Sequence, residues 1–343
     1  MPLRIVLILP CCIGDVVLAT ATLVGLRRAY PDAHIAWAVG RWSALVLHQH
    51  PHLNALLDTG DEALPVKSWS GFWGFRSLLV EGNFDAAVSL VRSPLMGLAV
   101  LAAGIPIRVG LNSGGRGLTY NYRANIDPDV PQHEADVYLS TLKAWDIDTR
   151  DCFPFIPTND EDRILVRRAV ARKGLGNRYI VINPAGGSNP GMTMDSKRYP
   201  PAQLAQLAQR LRDAYNVPLV LIGGLKDGDL INAVQAKLDH LAATFVGEFS
   251  FHQLGVLAKE SLFYLGNDTG MTHLANACGA RTIMLMGPSD PKRYAPYGGD
   301  SLALWQPASV SLRGVAGEQT VWDWERDGIS VEEAFEKIRA FVG

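Results

Sequence analysis

Two short polar stretches hold most of the chemistry this sequence can offer. One is Asn267-Asp-Thr-Gly-Met-Thr-His273, which follows the apolar run at residues 261–265. Gly266 and Gly270 tolerate the positive φ of a tight turn, and Asp268 and Thr269 are types that favour a helix start. A helix N-terminus presents unpaired N–H groups and a partial positive charge, so the pattern suits an anionic ligand such as a phosphate. Thr272, His273 and Asn276 fall on the first turns of that helix. The other stretch is Gly14-Asp15, just after the apolar run at residues 4–9. Asp15 is placed as the N-cap of the next helix. The same carboxylate can also act as a general base on a hydroxyl.

Two further groups belong with these. Ala185-Gly186-Gly187-Ser188 offers backbone N–H groups and a hydroxyl to phosphate oxygens, and Lys197 and Arg198 follow within reach of the same loop. Lys197 reads either as a solvated surface lysine or as a point charge on a diphosphate. Gly223-Gly224 with Asp227 reads either as a capped turn or as an acceptor for ribose hydroxyls.

The elements that must position these residues alternate. Strands are predicted at 4–9, 34–39, 55–58, 86–91 and 108–111, with helices at 16–30, 42–50, 73–81, 94–103 and 132–145. Residues 112–131, rich in Gly and Asn, read as a loop. Strands follow at 179–183, 218–222, 243–246, 262–265 and 282–286. They alternate with helices at 201–215, 230–238, 251–259 and 272–278, after a first helix at 161–173, and a last helix is expected at 331–342. Repeated βα units predict two doubly wound α/β domains with functional loops at strand C-termini and a site in the cleft between them. The expected division is residues 1–155, residues 156–330, and a C-terminal helix at 331–343 that packs back on the first domain.

A chain of 343 residues with 48% hydrophobic and 19% charged content suits two globular domains, and a net charge of −2 gives no footprint for nucleic acid. Cys11, Cys12, Cys152 and Cys278 lack metal-ligand spacing and are expected as reduced thiols in a cytoplasmic protein. The longest weakly polar stretch, residues 95–107, falls short of the roughly twenty residues a membrane span requires. Residues 67–76 set Trp69, Phe72, Trp73 and Phe75 among basic side chains. Such a segment either packs on the sheet or rests on a membrane surface. Arg41, Arg92, Arg116 and Arg123 are candidate contacts for an anionic acceptor.

Taken in order, five stretches resemble glycosyltransferase family 9, the ADP-heptose:lipopolysaccharide heptosyltransferases. They are Ile13-Gly-Asp-Val16, Ile182-Asn-Pro-Ala-Gly-Gly187 with Lys197-Arg-Tyr-Pro200, Leu221-Ile-Gly-Gly224 with Asp227, Asn267-Asp-Thr-Gly-Met-Thr-His273, and the segment from Gly287-Pro-Ser-Asp-Pro onward. The resemblance implies a GT-B fold and inverting transfer of a sugar, with no metal and no cofactor, from a nucleotide-diphosphate donor, ADP-heptose. The implied acceptor is a hydroxyl of a lipopolysaccharide core or related glycolipid. It assigns Asp15 as the base and Lys197 as the partner of the leaving diphosphate. Gly14, Gly187, Ser188, Gly223, Asp227, Asp268, Thr269, Gly270 and His273 are placed around the donor. It also implies a cytoplasmic enzyme with peripheral contact at the inner membrane face. Two other classes share the outline: a nucleotide-sugar epimerase, which would turn over donor without acceptor, and a silent nucleotide-sugar-binding protein.

Overall fold

In the computed structural model, which describes residues 2–189, 192–306 and 322–343, both six-stranded sheets are parallel throughout. The chain divides into two units, Met1–Ile156 and Pro157–Gly343.

The first unit runs β1 (Arg4–Ile8), α1 (Ile13–Ala29), β2 (His34–Val39), α2 (Arg41–Ala44), β3 (Ala55–Asp58), α3 (Trp69–Glu81), β4 (Ala86–Ser89), α4 (Pro94–Ala102), β5 (Ile107–Ser113), β6 (Tyr122–Ile126) and α5 (Glu134–Ala144). The strand order is β3-β2-β1-β4-β5-β6. Ile5, Val6, Leu7 and Ile8 are wholly buried, as expected of a central parallel strand covered on both faces. Three expectations change here. Residues 112–131 are not all loop, because β6 adds to β5 in parallel with Ala124 and Ile126 turned inward. The helix expected at 42–50 shortens to the single turn of α2. Asp15 is not the N-cap of α1, since the helix opens two residues earlier with Cys12 at that position. The segment at residues 67–76 yields a helix capped by Ser68, whose hydroxyl accepts from the Gly71 N–H. Phe72, Phe75 and Leu79 form the buried face of α3, while Trp69 and Trp73 stay exposed.

The second unit runs α6 (Asp160–Arg172), β7 (Ile180–Asn183), a two-residue hairpin of β8 (Ser188–Asn189) and β9 (Met192–Thr193), α7 (Pro201–Tyr215), β10 (Leu219–Gly223), α8 (Gly228–Gln235), β11 (Ala243–Val246), α9 (Phe251–Lys259), β12 (Phe263–Asn267), α10 (Gly270–Ala277), β13 (Thr282–Leu285), α11 (Pro291–Tyr294), β14 (Ser301–Leu304), α12 (Trp324–Asp327) and α13 (Val331–Val342). Its order, β11-β10-β7-β12-β13-β14, repeats that of the first sheet. Alternate residues serve opposite faces, as the two-residue strand period requires. Ile180, Ile182, Leu219 and Leu221 join Leu204, Leu207 and Leu211 of α7 in one core. Val181, Val220, Ile222 and Tyr264 join Val166 of α6 and Val256 of α9 in the other. The last helix, expected to return to the first domain, buries Val331, Ala334, Phe335 and Ile338 in the core it shares with α7.

In each sheet the strand order reverses beside the first strand, between β1 and β4 and between β7 and β12. Such a switch point opens a crevice beyond the strand ends, where α/β sheets take their ligands.

Candidate active site

Asp15 occupies the first turn of α1, just past the end of β1. Its carboxylate reaches back to a backbone hydrogen bond at Cys12, in the manner of the acidic member of a capping box. It also accepts from the Tyr138 hydroxyl of α5 at 2.8 Å. Burial and the nearby Glu134 charge raise its pKa to about 6, against the lowering pull of Tyr138, Cys12 and Arg92. A carboxylate tuned this way is a better base than an exposed aspartate, while still largely ionised at neutral pH. Gly14 precedes it in the same turn, half-buried. Cys11 and Cys12, expected as separate thiols, are joined to each other as a disulfide. Cys152 and Cys278 are buried free thiols.

At the switch point of the second sheet, Asn267 knits two loops together. Its amide donates to the carbonyls of Pro184 (2.9 Å) and Ala185 (3.2 Å), and its oxygen accepts from the Tyr199 N–H at 2.9 Å. The turn after β7 and the segment carrying Lys197 are thereby held at the end of β12. Gly186 has φ 141°, and a Cβ there would lie 2.0 Å from Thr269 Cγ2, so only glycine lets the turn lie against Thr269. At Gly187, with φ 71°, a Cβ would lie 2.2 Å from the Met194 carbonyl oxygen. Arg198 donates through Nε to the Gly186 carbonyl at 2.7 Å, which fixes the turn from its other side.

Asp268 is paired with Lys197 at 2.6 Å, and His273 Nε2 lies 3.9 Å from its other oxygen. Burial works to raise the Asp268 pKa, but the Lys197 ammonium and His273 outweigh it and hold the carboxyl below its usual range. Thr269 is the N-cap of α10, with an extended backbone; its hydroxyl meets that of Thr272 at 3.5 Å and makes no cap bond to a backbone N–H of the first turn. The caps of α6, α9 and α13 all make that bond. The amides that open α10, at Gly270 and Met271, are therefore left for another acceptor. Lys197, Asp268, Thr269, Gly270, His273 and Gly187 thus share one neighbourhood in the second unit. Sequence reasoning missed three contributors to it. Asn267 ties the loops, the buried Ser289 adds a hydroxyl beside Asp268, and Tyr294 lies with its ring 5.6 Å from the Lys197 ammonium. The two latter lie in the matched segment after Gly287, which was the available signal.

Other expected residues take structural roles. Asp227 accepts from the Gly224 N–H at 2.8 Å and so caps the turn that Gly223 opens. Arg41 pairs with Asp58 and Asp61, Arg92 with Glu134, and Arg123 donates to the Tyr120 carbonyl. Arg116 is exposed. The side chain of Ser188 lies outside the described residues. The chain has Asp-x-Asp strings at Asp127/Asp129, Asp146/Asp148, Asp160/Asp162 and Asp227/Asp229. Among the described residues, no three His, Cys, Asp or Glu side chains gather as a metal site.

A model of glycosyltransferase family 9 (heptosyltransferase) matches residues 73–313. Lipopolysaccharide heptosyltransferase 3 of Escherichia coli is 23% identical over 301 residues, covering 85% of this chain and 86% of that protein. Lipopolysaccharide heptosyltransferase 2 of E. coli strain K12 is 26% identical over 313 residues, covering 86% and 85%. The family 9 glycosyl transferase structure from Veillonella parvula DSM 2008 superposes with a TM-score of 0.82 at 21% identity, over 99% of this chain and 97% of that one. The structure of E. coli ADP-heptose lps heptosyltransferase II gives 0.75 at 22% identity, over 99% and 98%. Fold and matches together define a glycosyltransferase of the GT-B class. The chain belongs to glycosyltransferase family 9, the heptosyltransferase family.

Proposed function

We propose that this enzyme transfers heptose from ADP-heptose, with inversion and without a metal ion, to a hydroxyl of the lipopolysaccharide core. The observation that carries the donor half is the grouping of Lys197, Asp268 and His273 with the uncapped first turn of α10 and the Gly186-Gly187 turn. A diphosphate fits such a place, because backbone amides and a lysine supply fixed positive ends where negative charge develops. The raised proton affinity of Asp15 supports its role as the base. In this mechanism Asp15 takes the proton of the acceptor hydroxyl as that oxygen attacks the anomeric carbon from the face opposite the diphosphate. The anomeric C–O bond breaks, its electron pair passes to the phosphate oxygen, and Lys197 and the α10 amides receive the charge. In this reading Asp227 accepts from the ribose hydroxyls through Oδ1 while Oδ2 keeps its bond to the Gly224 N–H.

Among the described residues, no helix is long and apolar enough to cross a membrane. We place the enzyme at the cytoplasmic face of the inner membrane, with the exposed Trp69 and Trp73 of α3 and Leu95, Leu98 and Leu101 of α4 as the contact surface. Trp69 is 77% exposed and Trp73 54%, and α3 packs beside α4. Apolar exposure of this extent on paired helices marks an interaction surface.

A thermal-shift comparison of ADP-heptose with UDP-, GDP- and dTDP-sugars tests the donor, since a ligand raises the melting temperature according to its affinity. Stabilisation by ADP-heptose is the expected result. Stabilisation by another nucleotide sugar with none by ADP-heptose removes it.

A further inference from the structure

The carboxylate of Glu134 is 3% exposed and lies within interaction range of Asp15, another carboxylate. The start of α5 and the Arg92 guanidinium account for a carboxylate at 134 but not for its nearness to a second one. Two like charges in a part-buried place oppose each other, and an apolar or amide side chain at 134 would serve the packing better. Glu134 opens α5, and Tyr138 lies one turn further along it, so both side chains share a face of the helix. That face is turned to α1, the helix that α5 packs against most closely. Tyr138, itself buried, spends its hydroxyl proton on Asp15 Oδ1. Burial, then the Asp15 and Glu134 charges, push its phenol well above the usual range, so it remains a donor at every working pH. Arg92, in the link from β4 to α4, closes the set with two contacts to Glu134, at 2.8 and 3.1 Å.

We propose that Glu134, Tyr138 and Arg92 are positioning residues that set the orientation and proton affinity of the Asp15 carboxylate. Tyr138 holds Oδ1 and the Cys12 backbone steadies the same carboxylate, so the group is fixed in one orientation toward an acceptor hydroxyl. Glu134 opposes the Asp15 charge and strengthens it as a base, while Arg92 fixes the Glu134 side chain and limits how far that opposition goes. Among the described residues these three side chains act on Asp15, together with its burial, the largest influence, and the Cys12 backbone contact. The inference rests on the reading of Asp15 as the base, but its central quantity is measurable without turnover.

The test labels the full chain with [γ-13C]aspartate, assigns Asp15 by its loss in Asp15→Asn, and follows its resonance with pH in wild type, Glu134→Gln, Tyr138→Phe and Arg92→Gln. The midpoint is expected to fall by about one unit, tenfold in proton affinity, in Glu134→Gln. It is expected to rise in Tyr138→Phe and in Arg92→Gln. A purely structural role for α5 predicts no such opposite displacements. An unmoved Asp15 midpoint in the folded variants overturns the proposal. Should Glu134→Gln fail to fold, the Tyr138→Phe and Arg92→Gln titrations decide it by the same criterion. The pH profile of kcat/KM with ADP-heptose should follow the resonance. If the resonance moves and the profile does not, the network stands and the assignment of Asp15 as base falls.

Discussion

The ammonium of Lys197 stands 2.6 Å from the Asp268 carboxylate, with both side chains almost withdrawn from solvent. Residues 71 apart in sequence thus meet as one ion pair at the end of β12. The pair holds the lysine at a fixed place beside the start of α10 instead of leaving it to sample solvent. A preplaced charge needs little reorganisation when a diphosphate arrives, which is the electrostatic advantage of such a site.

Breaking this pair has a predictable signature. Lys197→Ala leaves Asp268 buried without its cation, a change that destabilises by about 3–5 kcal/mol. Asp268 has its folded pKa below the unfolded one. Its contribution is therefore present above the unfolded value near 3.8 and lost as pH falls through the folded value. In the variant, burial is opposed only by His273 and the Ser289 hydroxyl, so Asp268 rises and the stability gap to wild type narrows once that carboxylate takes up a proton. Urea unfolding from pH 7 to pH 4 measures the gap. One that stays constant shows that the loss comes from the packing of the lysine stem. Calorimetry with ADP should also show binding weakened about tenfold or more in Lys197→Ala, roughly the 1.4 kcal/mol of a single lost contact.

The Gly186–Thr269 contact is a second place where a small change reads out the site. Gly186→Ala puts a methyl into the space of Thr269 Cγ2 at a backbone angle that L residues rarely adopt. Strain of this kind amounts to about 1–3 kcal/mol. Thr269→Ser removes that methyl group, so the double variant should recover part of the lost stability and ADP affinity while the backbone strain stays. A double-mutant cycle in urea unfolding gives the coupling, and additive losses would show that the two residues do not meet as described.

What could be read from the sequence was what depends on local rules. Buried parallel strands such as β1 and β12 appear as unbroken apolar runs, and Gly186 and Gly187 mark turns that few other residues can make, whereas Gly270, expected in a tight turn, opens α10 as an ordinary helical residue. The aspartate and histidine of the α10 turn were legible for the same reason. The edge strand β6 was not, because Arg123 and Asn125 on its outer side resemble a loop while only Ala124 and Ile126 face inward. Asp227 shows a local rule at work: its carboxylate caps the glycine turn, as a short acidic residue after Gly-Gly is disposed to do. The surroundings of Asp15 were hidden for the opposite reason. Tyr138 lies 123 residues away, and nothing near it in sequence announces that its hydroxyl meets a carboxylate on another helix.

The last prediction concerns Asp15 itself, where activity and stability should oppose each other. Burial and Glu134 raise its pKa to about 6 in the folded chain from 3.8 in the unfolded one. The folded state therefore binds this proton more tightly. The associated stability is fully present below pH 3.8 and is lost as pH rises through about 6. At pH 8 the ionised carboxylate weakens the fold by on the order of 3 kcal/mol, at 1.36 kcal/mol per unit. Asp15→Asn keeps the shape and can still accept from Tyr138, but carries no charge. It should melt several degrees above wild type at pH 8, and the advantage should shrink steadily toward pH 4. The same variant should lose sugar transfer, because an amide cannot take the acceptor proton. Wild-type transfer, in turn, should rise with pH through about 6 as one carboxylate ionises. Melting curves over this range, beside transfer rates for both proteins, check the argument. A pH-independent difference in melting temperature would show that Asp15 is not held in the proton-binding environment described here.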